Sequence, residues 1–405
     1  MYRNKENSLK FQGNGQREKK RSVKGIKYIR KWRIIVESKI VFGKVETTSL
    51  LIIVMTTQLF ISFPRFVAEK AGTAGWILIV YLTVLSLFLF TIISKMYKNF
   101  QGKDIIDIGE YVGGNIGRIL IGLIIIIDYM FIAPGVLREF SDSLKIITLD
   151  KTPIGFVMLF FLIGMITAAF YGIEPITRFS AIIVPIVAAA FILIIIGIIP
   201  NFNLTNLFPL MGSGVNNIFI KGIPNVSIFS GISILFILPP FLNSYDCFRK
   251  TGFYSILLSG FFLTVGALIY TLSIPYPAST EFTMPMYTLA RTIDWGRFFT
   301  RIESIFVFVW AASAFIYLSI LLFFIVYVFK KTFRLEYYTP LILPVSVLVF
   351  AFALIPESMM RVFQLESQIF RAYAWIVTFG MPIILLMAAL LIKKKKGAVP
   401  NEKNS

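Results

Sequence analysis

The chain has 405 residues, of which 57% are hydrophobic and only 15% are charged, and its formal net charge is +19. A water-soluble protein carries about a quarter charged residues, so this composition indicates that lipid is the solvent of the chain. The sequence contains no histidine and a single cysteine, Cys247. These counts exclude a disulfide framework, His-ligated metals and Ser-His-Asp catalysis, and we expect no enzyme activity, no cofactor and no metal.

Residues 1–44 are predicted to form a basic cytoplasmic extension. Up to Arg21 the segment is polar, and we expect it to be disordered. Between Lys24 and Phe42 apolar and basic residues alternate, which is typical of a short helix lying on the inner leaflet of a membrane. A solvated tail fits the same pattern equally well.

Ten apolar stretches follow, and each is long enough to cross about 30 Å of hydrocarbon. They are predicted at residues 47–63, 73–94, 119–140, 153–171, 179–200, 223–243, 252–274, 302–329, 337–356 and 372–392. With both termini inside, 29 of the 40 Lys and Arg residues fall in cytoplasmic segments, as the positive-inside rule requires. The membrane domain is therefore predicted at 45–392. The basic tail at 393–405 is interpreted as an anchor to anionic lipid rather than a nucleic-acid site.

The third span carries an acidic residue, Asp128, within an isoleucine-rich run. A carboxylate at this depth in a membrane faces the interior of the helix bundle or a wet cavity. Asp128 is therefore a candidate for lining a ligand or water path, and the alternative is a purely structural hydrogen bond.

Polar and small residues also interrupt two spans that lie five apart. Span one contains Thr56, Thr57 and Gln58, and span six contains Ser230, Gly231 and Ser233. Five-plus-five inverted-repeat transporters have two broken helices and their ligand at these positions. We predict an all-α bundle of ten transmembrane helices with this LeuT-like fold. These residues, together with Asp128, are the candidates for binding a small solute.

Two pairs of opposite charges are candidates for structural or gating ion pairs. Glu174 and Arg178 are four residues apart in the short connection between spans four and five, so they can bridge one helical turn. A role in the turn and the helix cap explains them as well. Arg301 and Glu303 are two residues apart at the start of span eight, so each is expected to pair with another helix or loop.

Several motifs follow one another in a characteristic order. They are Phe63-Pro64-Arg65 with Gly75-Trp76, residues 172–179 (GIEPITRF), residues 206–214 (NLFPLMGSG), and residues 296–304 (GRFFTRIES) with Val309-Trp310 and residues 330–333 (KKTF). In this order and spacing, the chain resembles the spore germination permease family, the B-type subunits of germinant receptors. That family belongs to the amino acid/polyamine/organocation transporter superfamily.

The resemblance implies a non-enzymatic subunit in the inner membrane of the dormant spore. It would detect a small germinant, typically an amino acid, in a complex with A-type and C-type receptor subunits. Two alternatives stay open: an amino-acid permease that works by ion-coupled alternating access, and a water or ion conduit opened during germination. A sensor needs only different affinities in two conformations, whereas a transporter also needs a route for the coupling ion. Asp128 could serve either.

The chain departs from the family pattern in spans one and six. It has Thr57 and Leu59 where family members commonly carry glycines, and Ser233 where they often carry an acidic residue. Glycines let a broken helix present bare N–H groups to a carboxylate. Their replacement argues against a standard amino-acid site or indicates a different ligand.

Overall fold

The computed structural model of the protein describes residues 42–293 and 302–397, with the side chains of 42–293 and 307–395. These residues form helices, joined in one place by an isolated parallel β-bridge between Phe42 and Leu242. The predicted basic helix that begins at Lys24, Arg301 and the side chain of Glu303 lie outside the described residues. The boundaries predicted for the terminal extensions stay predictions.

Each of the ten predicted stretches corresponds to a helical segment of the described chain. Span one consists of Lys44–Thr56, a 3₁₀ turn at Thr57–Phe60 and Phe63–Ala71, and span six is a 3₁₀ helix at Ile223–Phe236. Span ten combines Met359–Leu365, Arg371–Trp375 and Met381–Gly397 with π-helical turns at Glu366–Phe370 and Ile376–Gly380. Spans two to five are Gly75–Tyr97, Ile105–Ile147, Ile154–Tyr171 and Ile173–Ile198, in that order. Spans seven to nine are Tyr245–Ser273, Ile302–Thr332 and Ile342–Leu354. Short helices at Val215–Phe219 and Pro285–Arg291 lie in the connections before span six and before span eight.

The surface of the bundle is apolar in the way that a lipid solvent requires. Eight helical stretches of the described residues are long and apolar enough to cross a membrane, and one of them joins the second half of span one to span two. A shorter apolar stretch, Thr339–Leu354, includes span nine. Large side chains such as Phe88, Phe160 and Ile182 are exposed on the outside of these helices. Helices satisfy their own backbone hydrogen bonds, which is why they can carry such side chains into hydrocarbon.

The helix of span three starts well before the predicted boundary of residue 119. Asp104 caps it, because its carboxylate accepts hydrogen bonds from the backbone N–H groups of Ile106 and Asp107 at 3.0 and 2.9 Å. The helix then kinks at Gly113 and Gly114, where Gly114 has a φ of +59°. The predicted apolar stretch is therefore only the part of the helix that follows the kink.

Span one also extends beyond its predicted end at residue 63. Helical geometry is lost at Ile61, with φ −109° and ψ −118°, and a second helix then runs from Phe63 to Ala71. Pro64 in the first turn of this helix is compatible with a helix start, since the proline needs no backbone donor there. The break lies three residues after Gln58, so the polar cluster marks the end of the first half of the span.

Glycines allow span seven to pack closely against spans one and two. A Cβ atom on Gly260 would lie 2.4 Å from Cγ2 of Thr83, and one on Gly266 would lie 2.3 Å from Cδ1 of Leu59. Leu59 is itself almost fully buried. Gly266 therefore makes room for the side chain of Leu59 in span one.

The two ends of the described chain lie on the same face of the bundle. Lys44 at the start of span one forms an ion pair of 3.4 Å with Asp246 at the start of span seven. Lys393 in span ten donates a hydrogen bond to the carbonyl oxygen of Asn99, just after span two. The rings of Tyr97 and Phe248 connect these two places, with centroids 4.7 Å apart. A chain that crosses a membrane an even number of times has both ends on the same side, as is found here. The assignment of this face to the cytoplasm stays a prediction.

Span eight is tied to span three on this same face. The Lys331 ammonium lies 2.5 Å from the carboxylate of Asp104 and 2.7 Å from that of Asp107, and Arg334 pairs with Glu110. Burial raises the pKa of Asp104 to about 6, and the positive charge of Lys331 opposes this rise. The cap of span three is therefore also its connection to span eight.

We expect Gly260→Ala to reduce the stability of the protein by about 1–3 kcal/mol, because the new methyl group meets the stiff, β-branched Thr83 side chain. Gly155→Ala is the matched control, since a Cβ there has no heavy atom within 4 Å. The control should be neutral or slightly stabilising, as alanine favours helix more than glycine does. Thermal unfolding of the purified variants in detergent measures both effects, and equal stabilities would contradict the packing argument.

Candidate functional site

Spans one and six meet where both depart from α-helical geometry. The side-chain amide of Gln58 donates hydrogen bonds to the carbonyl oxygens of Met55 at 2.8 Å and Ile228 at 2.9 Å. The second bond joins the two spans directly. Backbone carbonyls freed by a broken helix need such partners inside a membrane. Gln58 therefore holds the two interrupted spans together.

Span six is a 3₁₀ helix of 14 residues, whereas 3₁₀ runs longer than three or four residues are uncommon. Pro224 stands at its start, and Phe229 in its middle has φ −93° and ψ 18°. Such a tight helix has poorer hydrogen-bond geometry than an α-helix, and a long one inside a bundle often marks a functional hinge. The residues around Ser230 therefore lie on a 3₁₀ backbone instead of an α-helical one.

A cavity of about 130 Å³ lies beside these breaks and is bordered by five spans. The lining residues of span one are Val54, Thr57, Gln58 and Ile61; of span three Phe131, Ile132, Gly135, Val136 and Glu139; of span six Ser227, Ile228, Ser230 and Gly231; of span eight Tyr317; and of span ten, with the connection before it, Pro356, Val362, Leu365, Glu366, Phe370 and Arg371. The lining is mostly apolar with a few polar groups, as is usual for small-molecule sites.

Arg371 connects three of these spans. Its guanidinium donates hydrogen bonds to the side-chain oxygen of Gln58 at 3.1 Å and to the carboxylate of Glu366 at 2.6 Å. The guanidinium also lies 4.4 Å from the centre of the Phe66 ring, and Ser227 donates to the Arg371 carbonyl oxygen at 2.7 Å. Arg371 is only 4% exposed, so these contacts are shielded from water.

Glu139 contributes a second buried carboxylate to the cavity and is also 4% exposed. The Ser62 hydroxyl, at the break of span one, donates a hydrogen bond of 2.9 Å to one of its oxygens. The charges of Glu366 and Arg371 act on it, but neither residue bonds to it directly. The neighbouring Arg138 is engaged elsewhere, since it pairs with Asp142 at 2.8 Å.

The sequence analysis missed Glu139, Glu366, Arg371 and Tyr317 as candidate site residues. Glu139 is the penultimate residue of predicted span three, and Arg371 directly precedes predicted span ten, so both lie at the edge of an apolar stretch. A signal was present, because ionisable residues at the edge of an apolar run are functional candidates. The π-helical turns on either side of Arg371–Trp375 were not visible in the sequence, although such turns occur frequently at functional sites.

The cavity brings together four of the predicted ligand residues: Thr57, Gln58, Ser230 and Gly231. Thr56 instead borders a separate apolar cavity of about 10 Å³. The hydroxyls of Thr56 and Thr57 donate to the carbonyl oxygens of Ile52 and Ile53 in their own helix, at 2.7 and 2.6 Å. Their hydroxyl protons are therefore already engaged by the backbone of span one.

Asp128 and Ser233 border a third cavity, also of about 10 Å³, together with Tyr129 and Met381. The hydroxyls of Tyr129 and Ser233 lie 3.2 Å apart, whereas the Asp128 carboxylate has no hydrogen-bond partner among the described residues. Asp128 precedes the lining residues of span three, and Met381 follows those of span ten. This cavity is therefore nearer the face that carries the chain ends.

Gly231 packs against span one as well as bordering the cavity. A Cβ atom on it would lie 2.6 Å from Cγ1 of Val54 and 3.0 Å from Cγ of Met55. A larger residue at this position disturbs the contact between spans one and six before it changes the cavity. Gly135 of span three is different, since its Cβ would have no heavy atom within 4 Å.

Of the charged residues predicted to form ion pairs, Glu174 and Arg178 lie apart from the cavity. The carboxylate of Glu174 and the guanidinium of Arg178 are 2.6 Å apart on the exposed first turn of span five. Exposed pairs of this kind contribute little to stability. Arg301 and the Glu303 side chain lie outside the described residues. Within residues 42–293 and 307–395, no group of three Cys, Asp or Glu side chains is arranged to share a metal ion.

A helical bundle with a cavity at the breaks of its first and sixth spans has the architecture of the LeuT-like fold, and solved structures confirm this fold. A nucleobase-cation-symport-1 family transporter, Mhp1, in a closed conformation with bromovinylhydantoin bound, matches with a TM-score of 0.63 at 13% identity, over 88% of this chain and 80% of that chain. MhsT in complex with L-phenylalanine matches with a TM-score of 0.62 at 15% identity, over 88% of this chain and 90% of that chain.

The chain belongs to the spore germination permease family, described as "Spore germination protein", whose profile matches residues 43–362. It is 25% identical over 363 residues to Spore germination protein A2 of Bacillus subtilis (strain 168), which covers 87% of this chain and 97% of that protein. Spore germination protein YndE of the same strain is 25% identical over 285 residues, which are 67% of this chain and 77% of that protein. Family and fold therefore resemble transporters and receptors rather than enzymes.

We expect Arg371→Leu to destabilise the protein by about 1–3 kcal/mol, because the half-buried carboxylate of Glu366 and the side-chain oxygen of Gln58 then lose the guanidinium that donates to them. Arg361→Leu is the control, since Arg361 is exposed and its guanidinium bonds only to Gln364 among the described residues; its effect should stay within about 0.5 kcal/mol. The double variant Arg371→Leu/Glu366→Leu should recover part of the loss. Unfolding in mixed detergent micelles measures all three, and similar losses for both arginines would contradict this account.

Proposed function

We propose that the protein is a germinant-receptor subunit of the B type, which senses a small solute in the cavity between spans one, three, six, eight and ten. An amino acid is the first candidate for the germinant. The observation that carries this proposal is the cavity at the two helix breaks of a transporter fold, in a chain of a spore germination family. A sensor responds because its ligand binds one conformation more tightly than the other, and we propose that the 3₁₀ helix of span six moves between the two.

The proposed binding residues are Thr57, Gln58, Ser230 and Gly231, with Glu139, Tyr317 and Arg371 added from the cavity lining. Asp128, Ser233 and Thr56 belong to the smaller cavities, and we assign them to the path between the main cavity and the cytoplasm or to packing. The proposed partners are A-type and C-type receptor subunits in the inner membrane of the spore. MhsT, which shares the fold, was solved with L-phenylalanine, and this supports an amino acid as ligand.

An amino-acid permease working by ion-coupled alternating access is the second candidate. One observation favours it: Asp128 has no hydrogen-bond partner among the described residues and borders a cavity between the main site and the chain-end face. A carboxylate there suits a proton or cation on its way through the membrane. Uptake of labelled L-alanine by proteoliposomes of the purified chain, driven by a proton gradient, would favour the permease over the sensor.

We expect Gly135→Leu to abolish or strongly weaken the germination response, because its side chain enters the cavity without striking a neighbour at its Cβ. Gly155→Leu is the matched control, since its Cβ also meets nothing within 4 Å but lies outside the cavity. The germinant dose–response of spores and the abundance of the chain are measured together. A normal dose–response for Gly135→Leu at normal abundance would show that the germinant binds elsewhere.

The proposed orientation has both chain ends in the cytoplasm, and thiol labelling tests it. Cys247 is buried and a poor probe, so it is replaced by serine. Lys394→Cys and Asn216→Cys then put single thiols on exposed positions of the two faces. A membrane-impermeant maleimide added outside intact cells should label only the variant with Cys in place of Asn216. Labelling of the other variant alone would reverse the orientation.

A further inference from the structure

The charged groups around the cavity do not balance. Among the described residues that line it, three carry charge: the carboxylates of Glu139 and Glu366 and the guanidinium of Arg371. Arg371 is committed to Glu366 by a hydrogen bond of 2.6 Å. The Glu139 carboxylate is left with the Ser62 hydroxyl as its hydrogen-bond donor among the described residues. A buried carboxylate without an opposite charge is costly, so the cavity favours the arrival of a positive group.

Glu139 also stands where a ligand's own carboxylate would be expected. Ser62 immediately precedes the helix Phe63–Ala71, which is the second half of span one. The N-terminus of a helix attracts an anion, and in inverted-repeat transporters this end faces the ligand. In this protein the carboxylate that approaches it belongs to span three, since Ser62 donates its hydroxyl to Glu139. The anionic position is thus filled from within the chain.

The remaining polar groups around Glu139 suit a donor-bearing ligand. The Tyr317 side chain borders the same cavity, and its hydroxyl has no hydrogen-bond partner among the described residues. The rest of the lining near Glu139 on span three is apolar, with Phe131, Ile132 and Val136. An ammonium group needs acceptors for its three hydrogens, and a carboxylate and a phenolic oxygen are acceptors. Small apolar substituents would contact the aliphatic side chains.

We propose that the cavity recognises its ligand through an ammonium group, which the Glu139 carboxylate binds, and that a carboxylate on the ligand is not required. This inference rests on the proposed function, since it names the chemistry of the ligand in the same cavity. Arg371 and Glu366 hold the opposite wall in place, and Glu139 supplies the selectivity. Ammonium compounds are bound, and anions of the same size are rejected by the two carboxylates.

Three probes of one size separate the contributions of the ligand's two ends. L-Alanine carries an ammonium and a carboxylate, L-alanine methyl ester retains the ammonium only, and L-lactate retains the carboxylate only. Their binding to the purified full chain in detergent is measured by the rise in unfolding temperature with probe concentration. L-Alanine and its ester should both stabilise the wild-type chain, the ester at least as strongly, and L-lactate should have no effect.

The variants test whether Glu139 is the group responsible. Glu139→Gln keeps an oxygen for the Ser62 hydroxyl but removes the charge, and it should weaken both ammonium compounds about tenfold or more. Glu139→Asp should retain measurable binding, which shows that the charge is the requirement and that the fold survives. Glu174→Gln makes the same chemical change on the exposed turn of span five and should bind like the wild type.

Binding of both ammonium compounds to Glu139→Gln at wild-type strength would overturn the proposal, because it would mean that the carboxyl is protonated or structural. Stabilisation by L-lactate equal to that by L-alanine would overturn it as well, as would a wild-type chain that binds neither ammonium compound. The Gly135→Leu germination test is independent of these outcomes. If it abolishes the response while Glu139→Gln leaves the dose–response unchanged, the cavity remains the sensing site and only the ammonium assignment fails.

Discussion

The contacts of Arg371 join spans one, six and ten beside the cavity. Its guanidinium bonds to Gln58 of span one and Glu366 of span ten, and its backbone carbonyl accepts from Ser227 of span six. Gln58 in turn bonds to the backbone of span six at Ile228. The three spans that depart most from α-helical geometry are therefore joined through one buried cation. A hydrogen-bonded network of this kind in a low-dielectric interior is rigid only while every member is present.

The membrane explains why this network exists. A broken helix inside hydrocarbon leaves N–H and C=O groups that water cannot reach, so side chains must satisfy them. Thr56 and Thr57 donate to carbonyl groups of their own helix, Gln58 reaches across to span six, and Ser62 at the break donates to Glu139. The polar side chains of span one thus form hydrogen bonds that stabilise its break, and Thr57 and Gln58 also border the cavity. Among the described residues that line the cavity, the Glu139 carboxylate has no hydrogen-bonded partner of opposite charge.

The helices near the cavity are packed tightly at some glycines and loosely at another. Span seven lies against spans one and two through Gly260 and Gly266, and Gly231 brings span six onto span one at Val54. These close contacts allow little adjustment, since protein interiors are close-packed. Gly135 of span three faces open space instead. A conformational change on binding would therefore involve the 3₁₀ helix of span six and the π-helical turns of span ten rather than span seven.

The sequence by itself determined that this is a helical membrane protein with ten apolar stretches, because hydrophobic length is a local property. It also identified the family through ordered motifs, and it indicated that spans one and six carry the polar interruptions. Only the tertiary structure decided which polar residues meet. Asp128 was the most conspicuous charge in the sequence, yet it borders a small cavity apart from the main one. Glu139 and Arg371 lie at the edges of their apolar stretches, and distant spans bring them together around one cavity. The hydrophobicity of a stretch depends only on its own residues, whereas the burial and pairing of a charge depend on helices far away in the chain.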